Sequence, residues 1–231
     1  MTDRPILFSA PMVQAILREI RAPGTGKTQT RRVLKTQPAP EGYTATTRLV
    51  DYYGDGRLGM AMEKPGYSDL ILPVGYQPGQ RLWVRETWTT GAHLDHVRPR
   101  DISPEQSIGY VANENEGPWL GKLRPSIFMP RWASRITLEV TDVRVQRLHE
   151  ISESDAMTEG AGMYVPGHGF VTNEEVQTDP GLANFISYRM GFESLWDSLN
   201  ADRAPWASNP WVVAISFKPH LCNIDQMEKA A

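Results

Sequence analysis

Cysteine is nearly absent from this chain of 231 residues. Cys222 stands alone, so there is no internal disulfide and no cysteine pair for a zinc site. Histidine is scarce as well. His93 and His96 lack a third ligand at metal spacing and His168 sits between glycines, so all five histidines read as non-metal and no cofactor is expected. No apolar run approaches a membrane span. Met1 to Phe8 lacks the basic start and long apolar centre of a signal peptide, so the expected location is cytoplasmic. Internal repeats are missing too. With 40% hydrophobic and 22% charged residues the composition is that of a folded domain, not of a disordered chain or a coiled coil.

Net charge is −3, which argues against coating nucleic acid by bulk attraction. The signs are nonetheless separated along the chain. Residues 1–40 carry seven Lys/Arg against two Asp/Glu and 121–147 six against two, whereas 149–200 carry nine acids and one base, Arg189. Separated signs are a usable footprint for an RNA or nucleotide partner, with solvated surface as the plain alternative.

The densest chemistry lies in Gly24-Thr-Gly-Lys-Thr-Gln-Thr-Arg-Arg32. Gly26-Lys27-Thr28 invites a phosphate-loop reading, but the pattern needs a glycine five positions before Gly26, where Arg21 stands. Lys27 and Thr30 are three apart, so one helical turn would set amine and hydroxyl on one face. In an extended strand Thr28 and Thr30 share a side and Lys27 faces away. A polar surface turn is the third outcome.

Along the chain, Pro5–Phe8 suits a strand, and Pro11 opens a helix carrying Met12, Ile16 and Ile20 on one side until Pro23-Gly24. Residues 37–79 read as an insertion with a hairpin across Asp55-Gly56. The stretch 81–88 reads as a strand with Leu82, Val84 and Glu86 on one face; Glu86 is then either capped by an arginine or lines a pocket. Residues 108–112 read as a strand. Arg131, Trp132 and Arg135 have the composition to stack a base and hold phosphate, a core tryptophan between solvated arginines being the alternative. Residues 136–145 form one long strand or two with a kink near Asp142. Ser152 caps a short helix with Asp155 three residues on, and Gly160 stops it. Glu159 falls in the last turn, where the dipole opposes a carboxylate, a placement that invites a proton-donating role. Residues 161–181 read as a lid or insertion, and Phe185, Phe192, Leu195, Trp196 and Leu199 as the core stripe of a helix over 182–199. A strand over 211–217 and a frayed tail over 219–231 complete an α+β chain whose short strands suggest a curled sheet or barrel.

The order of Lys-Thr-Gln-Thr-Arg-Arg (27–32), Pro-Gly-Gln-Arg-Leu-Trp-Val-Arg-Glu-Thr-Trp (78–88), Pro-Arg-Trp-Ala-Ser-Arg-Ile (130–136), Asp-Ala-Met-Thr-Glu-Gly (155–160) and Trp-Val-Val-Ala-Ile-Ser-Phe (211–217) resembles the ASCH domain, especially its phage and prophage forms. The resemblance implies a PUA-like β-barrel with flanking helices over residues 1–218, with additions at about 37–77 and 161–181 and a tail at 219–231. It implies binding of RNA or modified nucleosides and no membrane. Compact bacterial members include an amidohydrolase that removes acetyl from N4-acetylcytidine, and its lysine, threonine and glutamate map by motif to Lys27, Thr30 and Glu159. A base-assisted threonine hydroxyl is a competent nucleophile, so Thr30 would attack with Lys27 as base. Glu159 would protonate the leaving nitrogen or orient water. Arg31, Arg32, Arg131, Trp132 and Glu86 complete the expected substrate contacts. A non-catalytic RNA- or nucleotide-binding module uses the same residues without hydrolysis, and a purely structural phage protein is the third reading. The Gly24-Thr25-Gly26 lead-in departs from the compact members.

Overall fold

A computed structural model describes residues 3–37, 42–52, 54–113 and 120–227. In chain order the elements are β1 (Arg4–Leu7), α1 (Ala10–Arg21), β2 (Gln29–Val33), β3 (Thr44–Asp51), β4 (Leu58–Glu63), β5 (Leu70–Pro73), β6 (Arg81–Arg85) and β7 (Trp88–Thr89). They continue with β8 (Gly109–Tyr110), β9 (Thr137–Arg147), α2 (Glu153–Thr158), β10 (Met163–Val165), β11 (Gly169–Val171), α3 (Asn173–Thr178), α4 (Tyr188–Asn200) and β12 (Trp211–His220). The protein is thus mixed α+β, and among the described residues no sheet closes into a barrel. It has two compact units. The first holds residues 1–27, 79–141 and 217–231, the second 28–78 and 142–216, and both β9 and β12 run from one into the other.

In the first unit β1 lies parallel to β6 (Ile6 opposite Val84) and β6 antiparallel to β9 (Leu82 opposite Leu138). Pro11 starts α1 without wasting a helix hydrogen bond, and Met12, Val13, Ala15, Ile16 and Leu17 are buried along it. Arg18 and Arg21 in its last turn complement the dipole. The 24–26 lead-in is tied to this helix. Glu19 accepts from the Gly24 and Gly26 N–H groups at 3.0 and 2.9 Å, and Arg18 Nε donates to the Thr25 carbonyl at 2.8 Å. A side chain at residue 26 would begin 2.3 Å from the Ala15 carbonyl oxygen, so only glycine fits. A satellite core gathers Trp88, Ile102, Met129 and Ala133, with Trp132 packed against it.

The expected 81–88 strand is interrupted after Arg85 and resumes as β7, which pairs with β8. The frayed tail is corrected over its described part. β12 continues to His220, Ile224 is buried, and the Asn223 amide donates to the carbonyls of Arg131, Trp132 and Ser134. Residues 228–231 lie outside the described residues, as do 114–119 of the expected polar loop.

In the second unit β2 pairs antiparallel with β12, Thr30 opposite Ile215 and Arg31 opposite Ala214. Residues 44–73 form a separate three-stranded sheet, β3-β4-β5, with Asp55-Gly56 between the first two strands; residues 38–41 and 53 of the expected insertion lie outside the described residues. Ser152 caps α2 by accepting from the Asp155 N–H, and Gly160 takes φ +78 just past its end, the left-handed turn glycine adopts without cost. The core packs Leu148, Ile151, Ala156, Phe192, Trp196, Trp206 and Val212. The aromatic stripe is shorter than its spacing suggests: α4 begins only at Tyr188, leaving Phe185 65% exposed, and Leu199 is 51% exposed on its outer side.

Candidate functional site

The stretch after Lys27 is extended, not helical, because β2 adds to β12 as a strand. Alternation puts Gln29, Arg31 and Val33 on one face and Thr30 and Arg32 on the other. The Thr28 N–H donates to the Thr158 carbonyl at 2.9 Å, which moors the start of β2 to the end of α2. Asp155 of α2 and Glu159, which caps its C-terminal end, therefore meet the same strand.

Arg31 is the centre of what results. Its side chain is fully buried, with Nη2 donating to Asp155 Oδ2 at 2.9 Å and Nη1 donating to Glu159 Oε1 at 3.1 Å and to Gln29 Oε1 at 2.6 Å. Its guanidinium carbon lies 5.9 Å from the Phe192 ring centre. Arg31, expected as a substrate contact, sits here as an internal cation between two carboxylates. Asp155 also accepts from Arg144 Nη2 at 3.1 Å and Gln29 Nε2 at 3.3 Å. Burial pushes the Asp155 carboxyl up, but the Arg144 hydrogen bond and the Arg31 charge outweigh it and hold it below the usual carboxylate range. Glu159 is buried at 3% exposure where α2 ends, and Arg31 rather than water meets its charge. Arg32 is half-buried; burial lowers its guanidinium pKa, against the opposing pull of Tyr76 and Glu159. Thr30 is 3% exposed.

Lys27 belongs to the first unit and is 1% exposed. Its N–H donates to the Ala15 carbonyl at 3.0 Å and its ammonium lies 5.9 Å from the Phe8 ring centre. Of the two outcomes open for Glu86, arginine capping is the one found: Arg135 Nε and Nη2 each donate to it at 2.8 Å. Arg131 is held by Asp3 at 2.7 Å and Asp225 at 2.6 Å, which raises its pKa further, and Trp132 is half-buried. The reading from sequence missed Gln29 and Asp155 as partners of Arg31, and the exposed Arg144 as a partner of Asp155. The four-residue spacing of Asp155 and Glu159 was the available signal; nothing local marked Arg144.

These features define a mixed α+β protein with a buried ionic cluster joining a strand to a helix end in its second unit. No family model, curated protein or solved structure matches the chain. No helix among the described residues is long and apolar enough to cross a membrane, and no group of three or more His, Cys, Asp or Glu among them is placed to hold a metal ion.

Proposed function

We propose that this is an ASCH-type, PUA-like protein of phage character that acts on modified nucleosides, hydrolysing the amide of N4-acetylcytidine or a close relative. The observation that carries the reading is the Arg31–Asp155–Glu159 cluster, built on β2, whose opposite face carries Thr30. Burying Arg31 and Glu159, with Asp155 half-buried beside them, costs more stability than an apolar core would. Such clusters concentrate at functional sites. The resemblance adds Lys27, three positions before Thr30 in the chain, as the base.

In the reaction that the resemblance implies, Thr30 Oγ bonds to the acetyl carbonyl carbon as its proton passes to the Lys27 amine. The bond from that carbon to N4 breaks, N4 takes the proton held by the Lys27 ammonium, and free cytidine leaves. Water then cleaves the acyl-threonine to acetate. A carboxylate already held by Arg31 accepts hydrogen bonds, so Glu159 suits the orienting of that water better than donation to N4. The same geometry favours one other reading: a fixed carboxylate accepts from a cytosine N4 amine without any cleavage, as in a binding module.

The test is incubation with N4-acetylcytidine, with released cytidine followed by chromatography. Thr30→Ala and Lys27→Met should each lower turnover at least about a hundredfold, the lower end for general-base assistance. The double variant should be little worse than either single one, since the residues act as a unit. Full activity in Thr30→Ala would remove the nucleophile assignment. Tight binding with no cytidine released would leave the binding module.

A further inference from the structure

The first unit carries a cleft of about 550 Å³ that the reading above does not use. Leu17 and Ile20 of α1 line it together with Gln14, Arg21, Asn113 and Arg135. Arg135 is the informative member. Its Nε and Nη2 both donate to Glu86 at 2.8 Å, and its Nη1 donates to Asn113 Oδ1 at 2.8 Å. One face of the guanidinium is also covered, because its carbon lies 4.0 Å from the Tyr110 ring centre. Arg135 lines the cleft with 18% of its side chain exposed, and with its edges and one face engaged we assign that exposed part to its other flat face. A guanidinium fixed in this way is a stacking platform for a planar ring.

The remaining lining residues fit the rest of such a ligand. Arg21 is exposed in the last turn of α1 and has no carboxylate partner among the described residues. Its charge is uncommitted, whereas that of Arg135 is balanced by Glu86. Asn113 has its carboxamide oxygen occupied, so it offers N–H donors, and Leu17 and Ile20 supply an apolar floor. A flat ring, hydrogen-bonding edges and a negative charge together describe a nucleotide.

We infer that this cleft binds a nucleotide, its base stacked on the open face of Arg135 and its phosphate met by Arg21. Neither Thr30 nor Glu159 is among its lining residues, and the inference does not rest on the deacylation reading. Free mononucleotides and single-stranded RNA present the same chemistry.

Calorimetric titration of the full chain with AMP and with ribose 5-phosphate separates base from phosphate. AMP should bind at least tenfold more tightly than ribose 5-phosphate. Arg135→Lys keeps a cation beside Glu86 but removes the flat face, so it should weaken AMP about tenfold and leave ribose 5-phosphate unchanged, a loss in the range of base stacking. Arg21→Ala, at an exposed position, should weaken both ligands and flatten the dependence on salt. Displacement of AMP by a uridine decamer would identify RNA as the source, and AMP binding that the decamer does not displace would identify the free nucleotide. Equal affinity for AMP and ribose 5-phosphate, unchanged AMP affinity in Arg135→Lys, or no binding at millimolar AMP would each overturn the proposal.

Discussion

At the scale of the residue, Arg31 carries the most consequence. It holds Asp155 and Glu159, which lie 124 and 128 residues away in the chain. Arg31→Met removes the buried cation that Asp155 and Glu159 share and should cost about 3–5 kcal/mol in chemical denaturation at pH 7. Asp155 adds a pH dependence of known sign. Its folded pKa is depressed, so its stabilisation is complete above the unfolded value of about 3.9 and disappears as pH falls through the lower folded value. Asp155→Asn should therefore be less stable than the parent at pH 7 and indistinguishable from it near pH 2. Equal denaturation midpoints at pH 7 would contradict this. The sequence placed Arg31 beside Thr30 correctly but could not say which way it faced. That was settled by strand pairing with β12, a partner about 180 residues away.

Among the elements, α1 was the most legible, since its proline start, apolar face and Pro23-Gly24 stop all act locally. Loop 24–26 was not. Its glycines looked like a phosphate-binding motif, whereas Gly26 is required by the approach of α1 and Glu19 holds the turn. Gly26→Ala should destabilise by about 1–3 kcal/mol, because the added methyl meets backbone atoms that cannot swing aside. A thermal melt of that variant beside an exposed control, Lys35→Ala, would check it. The element least well read was the aromatic helix, where periodicity continued through Phe185 although the chain had not yet entered α4. Spacing alone cannot tell a helix from the turn that precedes it.

For the molecule as a whole, the α+β class was legible from alternation and helix period. The role of residues 42–75 was not. An appended hairpin would bury one face, yet Met60, Ala61 and Met62 are consecutive in β4 and all 0% exposed, so both faces are covered. Replacing 42–75 by a short glycine linker should lower the melting temperature sharply, and hydrogen exchange should find the β4 amides among the slowest. Rapid exchange there, or an unchanged melt, would return the stretch to an appendage.

The pairing of β2 with β12 also bears on how the protein is made. The ribosome completes β2 by residue 33, but the neighbour it needs is not synthesised until residues 211–216. The first unit waits similarly, since its last strand portion follows residue 216. For most of its time as a nascent chain, β2 is an edge with no neighbour and Arg31 a cation with no anion. Segments of that kind are what holdase chaperones shield, and they aggregate when such shielding is scarce.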